Sequence, residues 1–282
     1  MTGEDSSGVA ACADRLEHAA RTRTACEPVR ELIGDDVDLA YRVQQELTAR
    51  RLAGGARRVG RKIGLTSPAV QRQIGVDRPD FGVLFDDMAF QDGATIGWDV
   101  LIQPKAEAEV AFVLGADVLD ADDRAALRRS VEAMLPALEI VDSRVRDWAI
   151  GIADTVADNA SSGVFVLGTT PRRLEDVEPA DVTMRMRCGA EEVSSGDGRA
   201  CLGDPLNALE WLARTAIEVG DPLRSGDIVL SGALGPMVAV HAGDTFTARI
   251  EPLGTVTAHF APLSADRADG APALAEKKEE SP

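Results

Sequence analysis

The chain has 282 residues, 45% of them hydrophobic, and a formal charge of 30 − 47 = −17. That is enough apolar sequence for one large core or two small ones, and acidic residues spread along the chain repel nucleic acid and anionic membrane surfaces alike. No run approaches the ~20 apolar residues of a spanning helix, and the start MTGEDSSGVAACADRLEHAA lacks the basic-then-apolar order of a secretory signal, so a cytoplasmic location is expected.

Residues 1–26 are small and charged, with Leu16 the only large aliphatic after Val9, which predicts a helical or frayed, loosely docked segment. Residues 37–53 place Leu39, Val43, Leu47 and Leu52 at nearly helical spacing before Gly54-Gly55, which predicts a helix. Short segments of strand character follow: VGRKIGL, EAEVAFVLG, ALEIVDS, SGVFVLG and VTMRMRC. A second helix begins where Asp204 caps and Pro205 suits the first turn, carries the stripe Leu206, Leu209, Ala213 and Ile217, and closes at Gly220. DIVLSG and DTFTARIEPLGTVTAHF read as further strands, and the tail from Ser264 to Pro282 reads as disordered. The pattern is α+β around a large mixed sheet, with one catalytic domain over 27–263 and no repeat or linker.

Cys12, Cys26, Cys188 and Cys201 are spaced for neither zinc nor a disulfide framework, so reduced thiols are expected. His18, His241 and His259 stand in no HExxH or nucleophile motif. Chemistry here therefore falls to carboxylates and lysine.

In QPKAEAEVAFVLG, Glu107 and Glu109 point to one face of a strand. Two such carboxylates either hold a cation or form a solvated face. Glu139 interrupts the apolar run MLPALEIVD, where a carboxylate pairs with a base such as Arg144 or Arg146, binds a metal, or stays protonated. Three glutamates suit Mg²⁺ or Mn²⁺, whereas zinc recruits His or Cys. Lys62 lies in the apolar segment GRKIGLTS, which is not a phosphate loop, and either snorkels or faces a ligand. Asp80, before Phe81-Gly82, reads as a turn residue or as a carboxylate reaching a pocket. Asn159, Ser161 and Ser162 either shape a loop or offer groups to an oxyanion. The glycines of SGALGPMVAV serve close backbone approach, to a ligand or to packing.

Taken in order, GRKIGLTS, DRPDFGVLFDDM, PKAEAEVAFVLG, LPALEIVDSR, DTVADNASSGVFVLG, LGDPLNALEWLA and SGALGPMVAV resemble the 2-keto-4-pentenoate hydratase family of the fumarylacetoacetate hydrolase superfamily, over about residues 37–262. The resemblance implies a fumarylacetoacetase C-terminal-like twisted mixed β-sheet roll with flanking helices, assembled as a homo-oligomer. It implies Glu107, Glu109 and Glu139 as ligands of Mg²⁺ or Mn²⁺, Lys62 and Asp80 as catalytic groups, and Ser162 and Leu84 as substrate contacts. The implied activity is a metal-dependent lyase that hydrates 2-hydroxypenta-2,4-dienoate or a related dienoate to a 4-hydroxy-2-oxo acid in aromatic meta-cleavage catabolism. Relatives divide between hydratases and 4-oxalocrotonate decarboxylases, and PDFGVLF, DNASSG and GALGPM are hydratase-like. A fumarylacetoacetase-like C–C hydrolase is disfavoured because no histidine lies near the motifs, and an inactive scaffold subunit is disfavoured because the acidic trio and Lys62 are intact. Ala239 stands where proline often occurs, and the acidic termini, outside the pattern, leave open a complex with a pathway enzyme.

Overall fold

A computed structural model of the chain describes residues 3–67, 71 and 78–263. The expectation of a disordered tail over 264–282 lies outside the described residues.

Three helices open the fold: α1 (Gly3–Thr22), α2 (Arg30–Ile33) and α3 (Val37–Ala53). The first is docked more firmly than its composition predicts, because its few apolar positions coincide: Cys12, Ala13, Leu16 and Ala19 are all buried. In α3 the Asp36 side chain accepts the Leu39 N–H as an N-cap, and Gly54 ends the helix. Its inward stripe is not quite the one expected. Ala40, Val43 and Gln44 are buried, whereas Leu52 is 47% exposed. A short helix, α5 (Ile152–Ala157), packs with α1 and α3 through Ala153, Val156 and Ala157 to complete a small helical layer.

The rest is built on two sheets. The larger has eight strands among the described residues: β1 (Arg58–Gly64), β2 (Asp80–Phe85), β3 (Ala89–Gln91), β5 (Pro104–Leu114), β6 (Val131–Asp142), β7 (Ser162–Leu167), β10 (Ile228–Ala233) and β11 (Val238–Ala239). They run in the order β2-β1-β10-β5-β6-β7-β3, with β11 beside β5. β1/β10 and β3/β7 are parallel and the other pairings antiparallel, so the sheet is mixed as expected. It curls far enough for β2 to reach β7. The smaller sheet has the order β4-β13-β12-β8-β9, where β4 is Thr95–Ile96, β8 Thr183–Cys188, β9 Glu191–Asp197, β12 Thr245–Glu251 and β13 Gly254–Phe260. The large mixed sheet is the one expected, and the five-stranded sheet is additional to it. The division into two leaves each with an inner face to bury against the other.

Strand alternation decides what each face carries. On β5, Ala106, Ala108, Val110, Phe112 and Leu114 point into the main core; on β6, Met134, Leu138 and Ile140 do the same. That core is shared with the smaller sheet and with helix α6 (Pro205–Glu218), whose Leu206, Leu209, Leu212, Ala213 and Ala216 are buried. Asp204 caps α6 by accepting the Leu206 N–H, with Pro205 in the first turn, as its sequence predicts. One more helix, α4 (Arg124–Ser130), leads into β6. The alternate residues of β5 and β6 face the inside of the curl, and that face holds the polar residues singled out above.

Candidate active site

Glu107 on β5 and Glu139 on β6 are direct cross-strand partners. Glu109, two residues along β5, shares their face, and one carboxylate oxygen from each of the three lies within 4.8 Å of the others. One ion can touch all three across that span. Neighbouring strands lie close enough for opposed side chains to interact strongly, and like charges there repel.

Lys62 reaches the trio from β1. Its Nζ is 3.2 Å from Glu139 Oε1, and both side chains are almost wholly buried. The contact is an ion pair without hydrogen-bond geometry, so both oxygens of Glu139 remain free of hydrogen bonds, as does Oε1 of Glu109. Glu109 Oε2 accepts the Gly232 N–H at 2.7 Å. Gly232 has a φ of +106°, and a Cβ there would collide with Thr66, which accounts for one glycine of the Gly-rich turn. Arg144 and Arg146 were the partners expected for a structural pairing of Glu139. They are engaged elsewhere, with Asp158 and Glu27 respectively.

Burial and the neighbouring Glu139 charge raise Glu107 to about 7, and the same two causes push Glu109 well up. Burial works against the Lys62 charge, but attraction from Glu139, Asp80, Glu107 and Glu109 outweighs it and holds the ammonium protonated. Once fully ionised, three carboxylates beside one ammonium carry a net charge of −3 + 1 = −2, which a divalent cation cancels. Buried carboxylates with unpaired oxygens cost several kcal/mol unless compensated. An all-oxygen donor set of this kind fits a hard divalent ion.

Asp80 is the first residue of β2 rather than a turn residue, because the apolar run Phe81–Phe85 continues the sheet directly from it. It pairs with Gly64 of β1, while Lys62 pairs with Gly82. An ideal Cβ on Gly64 would lie 2.2 Å from Asp80 Oδ1 and 3.5 Å from Lys62 Nζ, so only glycine lets the two groups converge over the strand. Asp80 Oδ2 accepts from Thr155 Oγ1 at 3.1 Å, and Oδ1 has no partner. Burial raises its pKa, partly opposed by Lys62.

Ser162, at the start of β7, donates its hydroxyl to Asn159 O at 2.9 Å. A Cβ on Gly82 would lie 2.9 Å from Ser162 Oγ, which sets this serine beside the strand opposite Lys62. Leu84 is buried with Ala111, Ala137, Phe165 and Leu230 in an apolar cluster. Ala111 and Ala137 lie two residues beyond Glu109 and two before Glu139, so this cluster continues the carboxylate face as an apolar floor. A separate cavity of about 500 Å³ lies under α1 and α3 and shares Ser162 and Asn159, but Glu107, Glu109 and Glu139 do not line it. Thr155 and Gln44 were missed at the sequence level. The one signal for Gln44 is an amide within the apolar stripe of α3.

The chain matches the family described as fumarylacetoacetate (FAA) hydrolase C-terminal over residues 63–261. It is 56% identical over 248 residues to the TodF product hydratase of Pseudomonas putida strain F1, covering 87% of this chain and 92% of the relative. It is 53% identical to 2-keto-4-pentenoate hydratase 1 of Dechloromonas aromatica strain RCB, covering 88% and 95%. Among solved structures it superposes on 4-oxalocrotonate decarboxylase from Pseudomonas putida G7, complexed with magnesium and adipate, with a TM-score of 0.86 and 33% identity over 89% of this chain and 97% of that one. The curled mixed sheet with its flanking helices is the fold of that family, and the chain belongs to the fumarylacetoacetate hydrolase family, within its 2-keto-4-pentenoate hydratase branch.

Proposed function

We propose that this chain is a divalent-metal-dependent hydratase that adds water to 2-hydroxypenta-2,4-dienoate or a close homologue, giving a 4-hydroxy-2-oxo acid. The observation that carries the reading is the convergence of Glu107, Glu109 and Glu139, with unpaired oxygens on Glu109 and Glu139, next to Lys62 and Asp80. Identity above 50% to named hydratases, against 33% to the decarboxylase, favours hydration over loss of CO2. Residues 27–263 form the catalytic domain in this reading, which also carries Mg²⁺ or Mn²⁺ as the ion, a homo-oligomeric state and a cytoplasmic site of action. Among the described residues no helix is long and apolar enough to cross a membrane.

The three glutamates would hold the cation, which supplies positive charge against the carboxylate and 2-oxygen of the substrate. Lys62 stays charged beside them and stabilises negative charge on the substrate oxygens. Asp80, whose proton affinity burial raises, would give a proton to C5 while the 2-hydroxyl releases one to solvent, which converts the dienol to an α,β-unsaturated ketone. The ionised Asp80 then takes a proton from water as the water oxygen bonds to C4, and C3 takes up from solvent a proton equivalent to the one the 2-hydroxyl released, so that the net change is addition of one water. Ser162 keeps free acceptor capacity after bonding Asn159, and Leu84 contributes to the apolar floor for the hydrocarbon end.

The test offers 2-hydroxypentadienoate and 4-oxalocrotonate, each with Mg²⁺, and weighs the products. Gain of one water from the dienoate is the expected result. Exclusive CO2 release from the second compound would replace hydratase by decarboxylase, and no reaction with either would reject the reading.

A further inference from the structure

Asp80 is held from an unexpected direction. Gln44 sits on α3, in the helical layer, yet it is only 3% exposed and lies in the inward stripe with Ala40 and Val43. Burying an amide there is costly unless its donors are used. Both are: Nε2 donates to Phe81 O at 2.8 Å and to Val156 O at 2.9 Å. Phe81 is the residue after Asp80, and Val156 the residue after Thr155. One amide thus staples β2 to α5 immediately beside the two residues joined by the Thr155–Asp80 hydrogen bond. The start of α5 is clamped independently: Asp154 accepts from the Arg30 backbone N–H, pairs with the Arg30 guanidinium, and accepts the Gly151 N–H.

Asp80 needs such restraint. Its Oδ1 has no hydrogen-bond partner, so among the described residues the Thr155 hydroxyl is the one side-chain bond fixing its rotation. A carboxyl group that turns by a fraction of an ångström loses alignment with the carbon it protonates, and misplacements of about 1 Å cost on the order of 100-fold in rate.

We propose that Gln44 is a positioning residue for Asp80, acting through Thr155 by locking β2 to α5. The inference rests on the reading above in which Asp80 transfers protons. Gln44 is not expected to touch substrate, so its loss should appear in kcat and not in KM.

The experiment compares Gln44→Met, Thr155→Val, Thr155→Ser, the double variant Gln44→Met/Thr155→Val, and Asp80→Asn, each assayed with Mg²⁺ and 2-hydroxypentadienoate below its melting temperature. Gln44→Met keeps the side-chain length and removes both donors. Expected are a tenfold or greater fall in kcat for Gln44→Met and Thr155→Val, KM within about threefold of the parent, and most turnover kept by Thr155→Ser. The double variant should fall no further than the worse single variant, because both changes break one linkage. Multiplying losses, or a Gln44→Met enzyme with unaltered kcat, would overturn the inference while leaving Asp80 its role. Full activity in Asp80→Asn would overturn that role and the inference with it. If Gln44→Met does not fold, Gln44→Asn replaces it in the cycle, since it keeps an amide but draws it back one carbon from the two carbonyls.

Discussion

Glu107 and Glu139 face each other across β5 and β6, two carboxylates where a sheet ordinarily sets opposite charges or apolar pairs. Lys62 neutralises one of them at 3.2 Å, and the remaining repulsion makes Glu107 and Glu109 hold their protons more tightly than free carboxyl groups. The consequences are measurable on the metal-free protein.

Glu109→Gln should raise the melting temperature of the metal-free protein by a few degrees. The amide oxygen still accepts from Gly232, while a carboxyl group that burial and the neighbouring Glu139 and Glu107 charges disfavour in its ionised form is replaced by a neutral amide. The same variant should lose the thermal stabilisation that Mn²⁺ gives the parent. Scanning calorimetry with chelator and with Mn²⁺ reads both; a variant less stable than the parent without metal would mean that the trio is not under charge strain.

The pH dependence has a definite sign. Glu107 rises from its ordinary 4.5 to about 7 in the folded chain, so between those values the folded state keeps a proton that the unfolded state has released. Stability from this group is therefore full below about 4.5 and is lost as pH rises to about 7. The melting temperature of the metal-free parent relative to Glu107→Gln should fall across that window and level off above it. Metal affinity should rise over the same range, because binding displaces the proton. A parent that gains stability over the variant across the window would contradict the assignment.

How far the sequence foretold this site depends on which strand face is considered. Glu107, Glu109 and Glu139 were legible because a two-residue period and an apolar interruption are visible in one dimension. The mutual register of β5 and β6, which makes Glu107 and Glu139 partners, is set by pairing and could only be supplied by resemblance. Asp80 reads as a turn residue because Pro79 and Gly82 flank it, yet Gly82 is there to clear Asn159 and Ser162. The helices α3 and α6 announced themselves through caps and stripes. The short α5, six residues with no side-chain cap, gave no such signal, and Thr155 was hidden with it.

Lys62→Met should lower kcat by about 100-fold or more with a smaller change in KM, because the ammonium acts on charge that develops during the reaction. It should also lower the metal-free melting temperature, since Glu139 would lose the ammonium 3.2 Å away. Steady-state kinetics on the metal-loaded variant decides the first point. A loss confined to KM would reduce Lys62 to an anchor for the substrate carboxylate.

The central claim is that one divalent cation sits among Glu107, Glu109 and Glu139. Anomalous diffraction from crystals soaked in Mn²⁺ tests it most directly. The account predicts a single strong peak per chain at coordination distance, about 2.0–2.6 Å, from an oxygen of each of the three carboxylates, and no such peak in Glu139→Gln crystals. A peak elsewhere in the chain, or none among the three glutamates, would contradict it.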